Sequence, residues 1–226
     1  MKKYVGEIIG TYGLVFVGTG AIITNSLSHG AVTHVGISLT FGFIVMAMIY
    51  AVGDISGAHF NPAVTIGFFF AGKLPGRFVI PYVISQLVGA LMASGTLLLL
   101  FGNIASLGAT IPSGSAFQSF VLEAILTAIL MFVILCVSTG SKEVGTLAGI
   151  AIGGIIALEA LFAGPICGAS MNPARSIAPA LVSGKLASLW LYIAGPIIGS
   201  IIAVPLWHII RGNSQPISQS KAAISE

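Results

Sequence analysis

Charge is what this sequence has least of. Of its 226 residues only 7% are Asp, Glu, Lys or Arg, nine basic and six acidic, while 56% are hydrophobic. Soluble domains carry about 25% charged and roughly 45 to 50% apolar residues. A chain so poor in charge cannot cover a water-facing surface, and no soluble domain is expected anywhere in it. Cysteine is almost as scarce. Cys136 and Cys167 are the only two, one inside an apolar run and one expected in a late loop, so neither a disulfide nor a metal site is assigned. A cleavable leader is also missing from the reading: residues 1–6 are short and no small-residue cleavage site follows, so the first apolar run is taken as retained.

What the sequence has is apolar length. A helical span needs roughly 20 apolar residues, and runs of that order cover 5–24, 35–52, 78–101, 117–139, 144–163 and 186–210. Threading six spans in order puts Lys2, Lys3, Lys73, Arg77, Lys142, Arg211 and Lys221 on one side and Lys185 on the other. By the positive-inside tendency both termini are expected in the cytoplasm, with the cell's inner (plasma) membrane as the expected location. Position therefore explains the net charge of +3, and no nucleic-acid partner is expected. The polar, Ser-rich stretch 212–226 is expected to be a disordered cytoplasmic tail.

The chain repeats itself across the Ser- and Gly-containing stretch 111–116, giving approximate halves 1–110 and 117–211 within a single domain spanning 1–226. Glu7 and Glu123 open the first span of each half. The frame Gly-Ala-x-x-Asn-Pro-Ala occurs twice, at Gly57, Ala58, Asn61, Pro62, Ala63 and at Gly168, Ala169, Asn172, Pro173, Ala174. Three spans per half is an odd number, so the second copy enters the membrane with inverted orientation. The apolar stretches after the two motifs, 64–71 and 176–182, are too short to cross. Re-entrant half-helices facing a pore are expected. The predicted fold class is thus an all-α membrane protein of six transmembrane helices plus two half-helices.

Asn-Pro-Ala is a helix start, with Asn as N-cap, Pro at the first helical position and Ala propagating. Two such starts meeting inside a membrane direct two positive dipole ends and two amides at anything passing between them. Water oxygens would be held and turned, and cations opposed. Arg175, in the first turn of the second half-helix, is badly placed for the dipole and costly in a membrane, which points to a pore-lining role. Glu7 and Glu123 are read as braces for the irregular loops before the half-helices. The rival reading makes them proton-coupling carboxylates of a secondary transporter. Glu159 has no counterpart in the first half and its direction is left open. His59 is expected to line the inner vestibule. Asp54, Ser56 and His59 lack an oxyanion partner, so no catalysis is expected. Gly36, Gly42, Gly89, Gly149, Gly153, Gly195 and Gly199 are expected to permit close helix packing.

The stretch 53–65 (Gly-Asp-Ile-Ser-Gly-Ala-His-Phe-Asn-Pro-Ala-Val-Thr), with Ala163-Gly164-Pro165 and residues 170–176 (Ser-Met-Asn-Pro-Ala-Arg-Ser), resembles the aquaporin, or major intrinsic protein, family over essentially the whole chain. The resemblance implies a right-handed bundle, one pore per subunit, a homotetramer, and passive flux of water and small uncharged solutes without a cofactor. It places an outer constriction at Phe41, Ala160, Ala169 and Arg175. Strict water channels carry His at the position of Ala160, which implies a wider filter here. Phe41 resembles the water channels and keeps a strictly water-selective channel as the alternative. Glycerol facilitators carry Asp at the position of Ser176. The stretch Glu159 to Pro165 and the pair Tyr192-Ile193 are similar to the nodulin-like subgroup, whose members pass glycerol or neutral metalloid hydroxides.

Overall fold

The computed structural model describes residues 1–141 and 145–211. Six helices are long and apolar enough to cross a membrane: α1 (Lys2–Leu27), α2 (Thr33–Ser56), α4 (Val79–Phe101), α5 (Ala116–Ser138), α6 (Ala148–Cys167) and α8 (Leu191–Arg211). Two short ones, α3 (Pro62–Phe70) and α7 (Pro173–Ser183), follow the two Asn-Pro-Ala motifs. A repeat is visible in the order itself: two long helices, a half-helix and a third long helix, twice over. The last span starts later than the apolar run suggests. Residues 186–190 are spent on turns, closed by bonds such as Leu189 N–H to Leu186 C=O. Cys167 is the final residue of α6 rather than part of a loop. Lys142 and the stretch 212–226 lie outside the described residues.

Small residues decide how closely the spans approach. α2 crosses α6 where Gly42 meets Gly153. A Cβ on Gly42 would fall 2.4 Å from the Gly153 carbonyl oxygen, and one on Gly153 would fall 2.6 Å from that of Gly42. The first and third spans of each half meet in the same way: a Cβ on Gly89 would sit 2.3 Å from Ile8 O, and one on Gly199 would sit 2.1 Å from Ala124 O. Lipid tails are as apolar as leucine, so packing of this kind, rather than hydrophobic exclusion, holds membrane helices together. Gly36 does not belong with this set. The nearest neighbours of a Cβ there are Val32 and Thr33 of its own turn, and among the described residues no other helix comes within 4 Å.

The outer surface matches the same solvent. Leu99, Phe117 and Ile80 are 85%, 74% and 70% exposed, a liability in water but the expected finish for a face against hydrocarbon. Polarity is turned inward: Glu7, Glu123 and Gln86 have no exposure at all.

Candidate functional site

Each half-helix begins as its sequence demands. Asn61 is the N-cap of α3 in an extended conformation, its Oδ1 accepting from Ala63 N at 2.8 Å with Pro62 at the first helical position. Asn172 caps α7 in the same way, taking Ala174 N at 3.0 Å and Arg175 N at 3.4 Å. The loops that deliver the caps are built alike. Gly57, Ala58 and Phe60 have φ of 84°, 50° and 51°, and Gly168, Ala169 and Met171 have 86°, 41° and 52°. The four residues with side chains each pay about 1 to 2 kcal/mol for left-handed backbone.

Two buried glutamates offset that cost. Glu7 accepts the N–H of His59 (3.0 Å) and of Phe60 (2.7 Å). Glu123 accepts the N–H of Ser170 (2.8 Å) and of Met171 (2.8 Å). Hydrogen bonds to charged groups contribute about 1.5 to 3 kcal/mol each, so four of them outweigh the strain. Two tyrosines repeat the pattern at the ends of the second spans: Tyr82 donates to Ser56 O (2.7 Å) and Tyr192 to Cys167 O (2.6 Å).

The motifs also hold each other. Asn61 Nδ2 donates to Met171 O at 2.7 Å, and Asn172 Nδ2 donates to Phe60 O at 2.9 Å. An Asn amide has two N–H groups, so each cap binds the opposite loop with one and retains one. Both caps are 5% exposed, and both line the same cavity.

That cavity, of about 130 Å³, opens toward the face carrying the N-terminus and the end of α8. Its walls are mostly apolar, with Val45, Ile49, Val64, Leu130 and Ile152 among them. His59 also lines it, stacked on Phe68 (4.6 Å between centroids). The Thr65 hydroxyl donates to Asn61 O (3.0 Å) and accepts from Gln86 Nε2 (2.9 Å). Its one proton being used, His59 Nδ1 at 3.0 Å must be the donor, which leaves Nε2 as an acceptor. A second cavity of about 260 Å³ opens to the opposite face, with His34, Ser38, Gly108 and Ala109 in its wall. Four residues border both cavities: Phe41, Ala160, Ala169 and Arg175. They are the four expected at the outer constriction.

Arg175 is 4% exposed, its guanidinium 5.0 Å from the Phe41 ring centroid and its Nη1 donating to Gly108 O at 2.7 Å. Gly108 ends a left-handed turn in which Ala105, Ser106 and Leu107 have φ of 48°, 50° and 54°.

A helical bundle with two half-helices and a cavity on either side of a narrow ring can be compared with known proteins as a whole. The family model for the major intrinsic protein matches residues 1–207. The chain belongs to the major intrinsic protein family. It is 47% identical over 220 residues to "Aquaporin NIP1-1" of Zea mays, covering 97% of this chain and 78% of the relative. It is 42% identical over 226 residues to "Nodulin-26" of Glycine max, covering 100% of this chain and 83% of the relative. These relatives bear out the nodulin-like subgroup. Among solved structures, the aquaglyceroporin from Plasmodium falciparum superposes with a TM-score of 0.85 at 26% identity, covering 93% of this chain and 96% of that one.

Two residues of this major intrinsic protein, Gln86 and Thr110, support the site though nothing in the sequence marked them. Gln86 donates to Glu7 Oε2 at 2.8 Å. Thr110, Ser176 and Ser170 form a buried line of hydroxyls behind the second motif, with Thr110 Oγ1 and Ser176 Oγ 2.8 Å apart. Gln86 and Thr110 have no local signal in the sequence, because their partners lie on distant segments. Glu159, whose direction was open, is 5% exposed and lines neither cavity.

Proposed function

We propose that the chain is a passive channel for water and small uncharged solutes, glycerol and neutral metalloid hydroxides among them, and that it excludes ions and protons. It is a channel, not an enzyme. The observation that carries the reading is the single ring of Phe41, Ala160, Ala169 and Arg175 shared by two cavities that open to opposite faces. Behind the ring, two N-caps with a free amide N–H each face an apolar wall. A permeant there can pair with few partners, and those partners donate, so a water turns its oxygen toward Asn61 and Asn172. Two half-helix N-termini add partial positive charge at the same place.

Selectivity follows from ring chemistry. Arg175 supplies donors and positive charge, Phe41 limits width, and two alanines leave room and an apolar face for a carbon backbone. The sequence relatives and the aquaglyceroporin likeness support the broader reading, whereas the Arg175 to Phe41 approach of 5.0 Å favours strict water selectivity as the alternative. By the same reading the subunit is one domain of two repeats, assembles as a homotetramer and sits in the cell's inner membrane with both termini cytoplasmic. The placement of Lys2, Lys3, Lys73, Arg77 and Arg211 at one end of the bundle supports that orientation.

Stopped-flow light scattering of protein-loaded liposomes tests this. A hyperosmotic jump with sucrose is expected to give shrinkage faster than in empty liposomes, and a jump with glycerol to give shrinkage followed by fast re-swelling. Ala160→His is expected to suppress the re-swelling about tenfold, since the site then rejects a bulkier solute by roughly 1.4 kcal/mol or more, while sucrose-driven shrinkage persists. Re-swelling absent in the unmodified protein would leave the strictly water-selective alternative. Shrinkage no faster than in empty liposomes would remove the channel reading.

A further inference from the structure

Glu159 is the one carboxylate of the bundle core without a stated purpose. It lies on α6, one residue before Ala160 of the ring, and is 95% buried by its 5% exposure. Glu159, Ala163 and Cys167 fall four residues apart, on one face of the helix. Ala163 and Cys167 pack in the cluster that holds Leu126 and Leu130 of α5, so this face is directed at α5. Among the described residues neither Glu159 oxygen has a hydrogen-bond partner. The contrast with the other two buried glutamates is complete: Glu7 receives three donors and Glu123 two backbone N–H groups.

The charged neighbours make matters worse for an anion. From α5, Glu123 opposes it. From α2, the His34 ring bonds Leu161 O, two residues from Glu159 but about 200° round the helix from it, and also meets Gly164, while Tyr50 meets Gly149 and Thr146 O. Cys167 on α6 itself and Tyr192 of α8 are turned to Glu123 and to the Cys167 carbonyl. Arg175 on α7 is taken by Gly108 O and by the field of Glu123. A bare carboxylate in such a place is costly by many kcal/mol, and groups so placed take a proton instead.

We propose that Glu159 is a specificity-determining residue of the pore: an uncharged carboxylic acid enclosed between α5 and α6, whose neutrality preserves the positive field of Arg175 at the ring. The proposal rests on the channel reading. Arg175 already feels the field of Glu123. A charged Glu159 would add an unopposed negative charge one residue behind the ring and invite the cations that Arg175 repels. The sequence of the first half has Met48 at the matching position, one residue before Ile49, so the device belongs to the half that carries the arginine.

Two readouts test the proposal on the intact channel. Infrared difference spectra between the unmodified protein and Glu159→Gln at neutral pH are expected to show a protonated-carboxylic-acid carbonyl band lost in the variant; its absence overturns the proposal. In liposomes, the monovalent-cation leak of the unmodified protein is expected to rise on the order of tenfold as the pH is made strongly alkaline, the effect of one unit charge within roughly 10 Å at an effective dielectric constant of about 20. Glu159→Gln should show no such rise, and an equal rise in the variant overturns the assignment. Should Glu159→Gln fail to fold, Glu159→Leu takes its place, because a neutral group without partners is dispensable. Failure of both variants to fold would mean that the carboxylate is charged and paired, and would overturn it too. Loss of osmotic water flux in the unmodified protein would instead remove the channel reading, while the infrared comparison still decides the protonation of Glu159.

Discussion

The two halves of this channel share a frame and divide the chemistry. In each, a glutamate early in the first span takes two loop N–H groups, a tyrosine of the third span takes the end of the second, a loop of left-handed residues delivers an Asn cap, and a glycine lets the first and third spans touch. Beyond that they part. The first half cross-links its brace: Gln86 holds Glu7 and Thr65, and Thr65 holds His59 and Asn61. It gives the ring only Phe41. The second half has Pro196 where the first has Gln86, counting from the matched glycines Gly199 and Gly89. It carries Arg175 and the unpartnered Glu159, and supplies three of the four ring residues. A duplicated frame can thus be cross-linked in one half and carry a buried arginine and an unpartnered carboxylate in the other.

The largest effect expected from breaking this comparison comes from removing the braces. Glu123→Leu strands the N–H groups of Ser170 and Met171, each at about 1 to 3 kcal/mol, and removes the negative field felt by Arg175, a loss of roughly 5 kcal/mol together. Glu7→Leu strands His59 and Phe60 N–H, but Gln86 keeps its bond to Thr65, and the loss is about 3 kcal/mol. Thermal unfolding in detergent, followed by circular dichroism, should therefore place Glu123→Leu below Glu7→Leu, and both well below the unmodified protein. The reverse order would mean that the arginine does not depend on Glu123. Uphill accumulation of a solute on a proton gradient by the unmodified protein, lost in either variant, would restore the transporter reading of these two carboxylates.

Arg175→Ala comes next in size. It removes the one cation from the ring, the partner of Phe41 and the donor that holds the Gly108 carbonyl. Cation leak through liposomes is expected to rise on the order of tenfold or more, by the same unit-charge reasoning as above, and glycerol flux to rise with the wider ring, while water flux stays of the same order. No counterpart substitution in the first half should do this, since α3 has no charged residue. Unchanged cation and glycerol discrimination would take the ring's selectivity away from Arg175.

Much of this architecture was legible in the residues themselves. Six apolar runs and two copies of Gly-Ala-x-x-Asn-Pro-Ala are local signals, and they fixed the spans, the half-helices and their caps. Arg175 could be assigned to the pore from its cost in a membrane, whereas Phe41, Ala160 and Ala169 could be placed only by resemblance. What could not be read were bonds between distant segments: Asn61 to Met171 and Asn172 to Phe60 join residues 110 and 112 apart, and nothing near either Asn announces them. Helix phase was the other blind spot. Whether Glu159 faced the pore or the packing depended on which of its neighbours faced α5, and an apolar run has no polar stripe to show it. Gly36 was misread for the same reason, being a small residue on a face that meets no other helix.

The smallest expected effect sharpens the comparison most directly. If the second half differs from the first because Pro196 cannot donate, Pro196→Gln should supply the missing amide to Glu123, whose Cβ lies 3.1 Å from where a Cβ on Gly195 would stand. A proline within a helix also withholds one backbone N–H, and α8 contains Pro196 and Pro205. One new hydrogen bond to a charged group contributes about 1.5 kcal/mol, which for a domain of this size is a rise of roughly 3 to 5 °C in Tm. Water flux should be unaltered, because the side chain is added behind the loop rather than in the pore. A Tm that stays level or falls would mean that the second half already satisfies Glu123 through its neighbours, Cys167 among them, so that the halves differ in the identity of the brace and not in its strength.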